Sequence, residues 1–154
     1  MSDIKTAYGA KTTIVATLTS LANLAGWQST VIDNTASKFR DALVRIATNG
    51  QTSGTGNLDI YVFAALGDTV YSDGATGTDG AFTAAGRLNA KYLDSVKLNV
   101  ATQVFSVLRS VAAAFGGVMP DKWGLIFINN SGAALHATAG QHVVEYEGVY
   151  DTVL

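Results

Sequence analysis

The sequence contains no cysteine and a single proline, and only 14% of its 154 residues are Asp, Glu, Lys or Arg. Without cysteine there is no disulfide framework, no thiolate nucleophile and no Cys-type zinc site. No run of about 20 apolar residues occurs, so no membrane span is expected. The mildly apolar stretch 12–25 is interrupted by four threonines and one serine, and a chain without a secretory leader, made in a cytoplasm, is expected. Ten basic residues against twelve acidic ones give a net charge of −2, with no basic cluster beyond Lys38, Arg40 and Arg45. A phosphate-binding surface needs a basic patch, so nucleic acid is not an expected partner.

The scarcity of charge has a positive side. A soluble domain usually carries about 25–35% charged residues on its surface. Here 23 alanines, 17 threonines and 16 glycines must cover much of it. Interface centres are depleted in charge, which predicts a component of an assembly, a homo-oligomer, rather than a free monomer. The length fits one domain, able to bury roughly 70% of its unfolded surface without a disulfide or metal staple.

Short β-like runs separated by Gly, Asn, Asp and Ser turns recur along the chain. Strands are predicted over 12–21, 27–35, 58–66, 92–100, 103–109, 123–128, 133–138 and 142–152. The stretch 38–48 fits a strand apolar on both faces, yet Phe39, Leu43, Ile46 and Ala47 also fit helical spacing. Ser110 to Phe115 reads as a short helix capped by Ser110 and stopped by Gly116-Gly117. Asn129-Asn130-Ser131-Gly132 reads as a hairpin turn. Residues 67–86 form a long glycine-rich excursion of the kind used for contacts, with Tyr71 and Phe82 as its exposed aromatics. The sum is an all-β, single-domain β-sandwich or jelly roll of about eight strands with one short helix. Residues 1–11 are expected as an N-terminal arm before a sandwich domain spanning 12–154.

No constellation carries chemistry. His136, His142, Glu145 and Glu147 are a conceivable metal set, but strand alternation sends the two glutamates to the face opposite His142, so no metal site is expected. The same two glutamates, two apart on a strand face, lie at a separation used by inverting glycosidases, but solvated charges on an outer strand explain them better. Ser131 with His136 lacks the strained nucleophile turn of a serine hydrolase. Asp68, Asp73 and Asp79 in the excursion lack the order of a calcium loop, and Asp-Gly pairs are ordinary turns. Gly54-Thr55-Gly56 does not continue into a nucleotide-binding fingerprint. No catalytic residue and no cofactor is expected.

Several segments carry a resemblance: Leu21 to Thr35 (LANLAGWQSTVIDNT), Asp41-Ala42-Leu43-Val44, Leu58-Asp59-Ile60-Tyr61-Val62, Phe115 to Pro120 (FGGVMP) and Gly132 to Tyr150 (GAALHATAGQHVVEYEGVY). Together the chain resembles small virion structural proteins of tailed bacteriophages, including capsid decoration or cement proteins of β-sandwich or jelly-roll fold. The resemblance implies a non-enzymatic protein on the capsid exterior, assembled in the host cytoplasm, with the major capsid protein as partner and a trimer as the favoured oligomer. It also implies contact segments: the arm, with Ile4 and Tyr8, and the excursion, with Tyr71 and Phe82. A neck or tail component would look much the same, and a carbohydrate-binding adhesion module is the alternative from another class.

Overall fold

The computed structural model describes residues 3–83, 89–101 and 103–153. Eleven strands and one short helix follow in chain order: β1 (Ile4–Tyr8), β2 (Thr12–Thr13), β3 (Gly26–Gln28), β4 (Ile32–Asp33), β5 (Asp41–Thr48), β6 (Asn57–Ala65), β7 (Gly80–Phe82), β8 (Lys91–Lys97), β9 (Phe105–Ser110), α1 (Val111–Ala114), β10 (Lys122–Asn130) and β11 (Val143–Val153). The first sheet runs β1-β11-β5-β9, with β2 continuing β1 along β11; the second runs β7-β3-β10-β6-β8, with β4 also on β10. The pairs are antiparallel and nested: β1 with β11, β3 with β10, β5 with β9 and β6 with β8. First-with-last nesting across two sheets is the connectivity of a jelly roll. The expected all-β sandwich is therefore the fold. Its extra strands arise because two lanes are broken into short pieces and β7 is added at an edge.

The core lies between the sheets and follows the period-two pattern of the strands. Ala42, Val44 and Ile46 of β5 face Leu58, Ile60 and Val62 of β6 and Trp123, Leu125 and Phe127 of β10 within one cluster. Trp123 spans the gap and meets Tyr146 of β11 edge-on, with ring centroids 5.4 Å apart. The segment between β2 and β3 adds Ile14, Leu18 and Leu21 to the same cluster. It is not the regular strand expected over 12–21, because only Thr12 and Thr13 pair in a sheet.

A second apolar cluster sits on the outer face of the second sheet. Phe63, Ile126 and Ile128 are covered there by Ala75 and Phe82, with Tyr71 packed against them. Strand β10 is thus buried on both faces, which is why 123–128 reads as an unbroken apolar run. The doubly covered strand expected at 38–48 forms from Asp41 and is only partly covered on its second face: β5 buries Ala42, Val44 and Ile46 on one side, while on the other Ala47 is buried, Leu43 half-buried and Arg45 exposed. Lys38, in the left-handed region at φ 53, precedes it, and no helix forms.

Other boundaries shift for local reasons. The Ser110 hydroxyl accepts from the Ala113 N–H at 3.0 Å, so α1 is capped as the sequence predicts. The hairpin turn expected at 129–132 does not form: Asn129 and Asn130 are still in β10, and the chain bends after them over 131–133, with Gly132 at φ 85. No strand follows: the strand-type pairing of residues 133–138 is limited to the bridge between Leu135 and Gly50. Residues 4–8 of the expected arm are an integral edge strand rather than a segment outside the sandwich. Residues 1 and 2 of that arm, and 84–86 of the excursion, lie outside the described residues. No helix among the described residues is long and apolar enough to cross a membrane.

Candidate functional site

The groups that could do acid–base work are tied into the framework. His142 closes a one-turn helix and opens β11, and its Nε2 lies 2.7 Å from the His136 carbonyl. A carbonyl only accepts, so Nε2 carries the proton and Nδ1 accepts from the Thr48 hydroxyl at 2.7 Å. Burial pushes the His142 pKa below its ordinary value of 6.5, and the nearby His136 charge adds to this, against the opposing effect of the His136 carbonyl bond. As pH falls below about 6.5 the unfolded chain takes up the proton first, so stability declines. Thermal melts from pH 7.5 to 5 should show Tm falling in this window, with a shallower slope for His142→Gln. An equal slope in the variant would remove His142 as the cause.

The other members of the sequence-derived sets do not converge. Glu145 is committed to Arg45 at 2.8 Å. Ser131 is fully buried, and its hydroxyl bonds Asn129 Oδ1 at 2.7 Å and the Ala133 carbonyl at 2.9 Å. His136 Nδ1 accepts from the Thr138 N–H at 3.1 Å, so serine and histidine form no dyad. Among the described residues no group of three or more His, Cys, Asp or Glu side chains is placed to hold a metal ion.

Two of the three aspartates of the excursion, Asp73 and Asp79, are latches, whereas the Asp68 carboxylate only accepts from the Val70 N–H within a local turn. Asp73 accepts from the backbone N–H groups of Asn89 at 2.8 Å and Ala90 at 2.6 Å, closing the base of the loop. Asp79 accepts from the Thr17 N–H at 2.8 Å, the Thr17 hydroxyl at 2.5 Å and the Trp27 indole N–H at 2.6 Å. Burial alone would raise the Asp79 pKa, but these three bonds outweigh it and hold the carboxyl below its ordinary 3.8. Gln28 and Thr76 exchange two more bonds, at 3.0 and 2.8 Å. Residues 71–82 of the excursion are therefore a cover over the second sheet. The aromatics expected to be exposed on it are not: Phe82 is buried at 9% exposure, and Tyr71 is half-buried with its ring edge-on to Phe63 at 5.5 Å. A loop rich in glycine and polar residues looks mobile in sequence, but Tyr71 and Phe82 are the apolar anchors that fold it down.

A groove of about 410 Å³ runs between residues 13–19 and 139–144. Threonine hydroxyls and aliphatic side chains line it, and His142 is the one titratable group in its wall. A lone imidazole bonded at both nitrogens offers no acid–base pair.

What stands open, apart from the buried Val149 and Ala47, is the outer face of the first sheet. Registers place Ile4, Thr6 and Tyr8 of β1 across from Val153, Asp151 and Val149 of β11, and Glu147 and Glu145 across from Leu43 and Arg45 of β5. Arg45 lies opposite Leu108 of β9. This face carries Ile4 at 71%, Val153 at 65%, Tyr8 at 58% and Leu108 at 56% exposure. Two ion pairs lie on it, Arg45 with Glu145 at 2.8 Å and Arg40 with Asp151 at 3.4 Å, and Glu147 lies between them opposite Leu43. Ile4 and Tyr8 thus lie together on an open surface, while Tyr71 and Phe82 belong to the opposite, covered side. Leu108 and Val153 join the first pair; strand alternation put them on a face, but nothing in the sequence told which face stayed bare. No protein-family model matches this chain, and no curated protein or solved structure matches it significantly.

Proposed function

We propose that the chain is a non-enzymatic structural protein of a bacteriophage virion, a capsid decoration or cement protein that bridges neighbouring major capsid subunits from the outside. The observation that carries this reading is the outer face of the first sheet, where four large apolar side chains are each more than half exposed beside two ion pairs. Exposed apolar area of that kind is characteristic of contact surfaces. The phage assignment draws on the resemblance of the sequence to virion structural proteins. The mechanism is passive. Each bound copy adds contact area between shell subunits, which the pressure of packaged DNA must break before the shell opens.

Localisation tests this directly. A gold-labelled antibody against the chain, applied to purified particles from its source, is expected to decorate the heads uniformly. Label confined to the neck or tail would replace the cement role with that of a connector or adhesin. Absence of label from every particle would overturn the virion reading.

A further inference from the structure

Strand β1 is a free edge, and the geometry points to a second copy of this chain as its partner, with the two β1 strands antiparallel about a two-fold axis at Thr6. The inference rests on strand geometry and is independent of the virion reading. Bond parity defines which backbone groups are available. The Gly9 N–H donates to the Gly148 carbonyl at 2.8 Å, and the Ile14 N–H donates to the Val144 carbonyl at 2.8 Å. The β1–β11 register sets Tyr8 opposite Val149 and Ala7 opposite Tyr150. Bonded and non-bonded pairs alternate along an antiparallel ladder. Residues 5, 7 and 9 therefore turn their N–H and C=O groups towards β11, and Ile4, Thr6 and Tyr8 turn theirs outward. Among the described residues no strand of the same sheet lies beyond β1. Such an edge is a template for another strand unless it is blunted, and β1 carries one lysine and no proline.

The strand is complementary to itself. An axis at Thr6 sets Thr6 against its own copy and Ile4 against Tyr8 in both directions. All three pairs are of the bonded kind, and with two bonds per bonded pair the outward groups make about six backbone hydrogen bonds. Ile4 and Tyr8 are 71% and 58% exposed in the single chain, and across the axis they form a β-branched–aromatic cross-strand pair. Lys5 falls opposite Ala7, so the one charge on the strand does not meet itself. An axis at Lys5 or Ala7 would leave two bonded pairs within β1 in place of three, about four backbone hydrogen bonds instead of six, and the former would also place two ammonium groups face to face. The product is one continuous sheet through both copies, with Ile4 and Tyr8 at its centre. This two-fold arrangement departs from the trimer that the family resemblance implies.

Sedimentation of the full chain over a range of concentrations should reveal a monomer–dimer equilibrium. Thr6→Pro removes one outward N–H and leaves the β11 ladder intact, and it should weaken the dimer at least tenfold. The chain has no cysteine, so Thr6→Cys introduces a single thiol. Bonded antiparallel partners lie about 5.5 Å apart at Cα, within the span of a disulfide. Mild copper-catalysed air oxidation should cross-link the Thr6→Cys variant to dimer far faster than Lys5→Cys. A monomer at all concentrations, an oligomer of unchanged affinity in Thr6→Pro, or equal cross-linking at positions 5 and 6 would each overturn the pairing. If Thr6→Pro fails to fold, the cross-linking comparison decides.

Discussion

Trp123→Ala is expected to lower stability by about 4 kcal/mol, since truncating a buried aromatic ring typically costs about 3–5 kcal/mol. Trp123 is 1% exposed and sits mid-core, where its ring from the second sheet meets Tyr146 of the first at 84°. Its removal withdraws the largest fully buried side chain from the layer that joins the two sheets. Neighbouring strands are held by their own ladders and cannot collapse fully into the space. At roughly 2–4 °C per kcal/mol for a domain of this size, the melting temperature should fall by about 8–16 °C, as read by circular dichroism or calorimetry. Trp123→Phe keeps much of the volume and should lose less. A loss within about 1 kcal/mol for the alanine variant would show that the sheets are held together elsewhere.

Asp79→Ala should release the cover over the second sheet. The carboxylate gathers three donors from two separate segments, Thr17 before β3 and Trp27 within it. Charge-assisted bonds are worth about 1.5–3 kcal/mol when formed singly, but Thr17 is exposed and three bonds to one group are not additive. A net loss of about 2 kcal/mol is expected on that scale. The more specific outcome is local. Phe63, Ile126 and Ile128 would lose the shelter of Ala75 and Phe82, so the variant should bind an apolar dye and be cleaved by protease within 67–82 while the sandwich stays folded. Wild-type protein should show the same opening only in acid. A carboxyl held below its ordinary pKa contributes stability above pH 3.8 that is lost as pH falls through the lowered folded value. A variant as protease-resistant as wild type would show that the Gln28–Thr76 pair and apolar contacts suffice to hold the cover.

The two expectations about contact segments separated for a physical reason. Ile4 and Tyr8 stay exposed because β1 lies at a sheet edge with its side chains on the bare face. Phe82 is buried and Tyr71 half-buried because the second sheet presents Phe63, Ile126 and Ile128 outward and the excursion folds over them. Glycine and aspartate in 67–82 correctly announced turns, but turn chemistry does not reveal where the loop comes to rest. The same limit applies to 12–21, where alternating Ile14, Ala16 and Leu18 suggest a strand, yet only Thr12 and Thr13 find a ladder partner.

The sequence by itself determined the class of fold, the capped helix after Ser110, the absence of thiol chemistry and most strand positions, because period-two apolar patterning and turn residues act locally. Tertiary structure alone decided which strands pair, which outer face is covered and which is bare, and what the aspartates do. Those outcomes depend on contacts between residues far apart in the chain: Asp79 reaches Thr17 across 62 positions, and β1 pairs with β11 from near the other end of the sequence. Alternation says that a strand has two faces. Only the packing of the whole chain says which of them meets water.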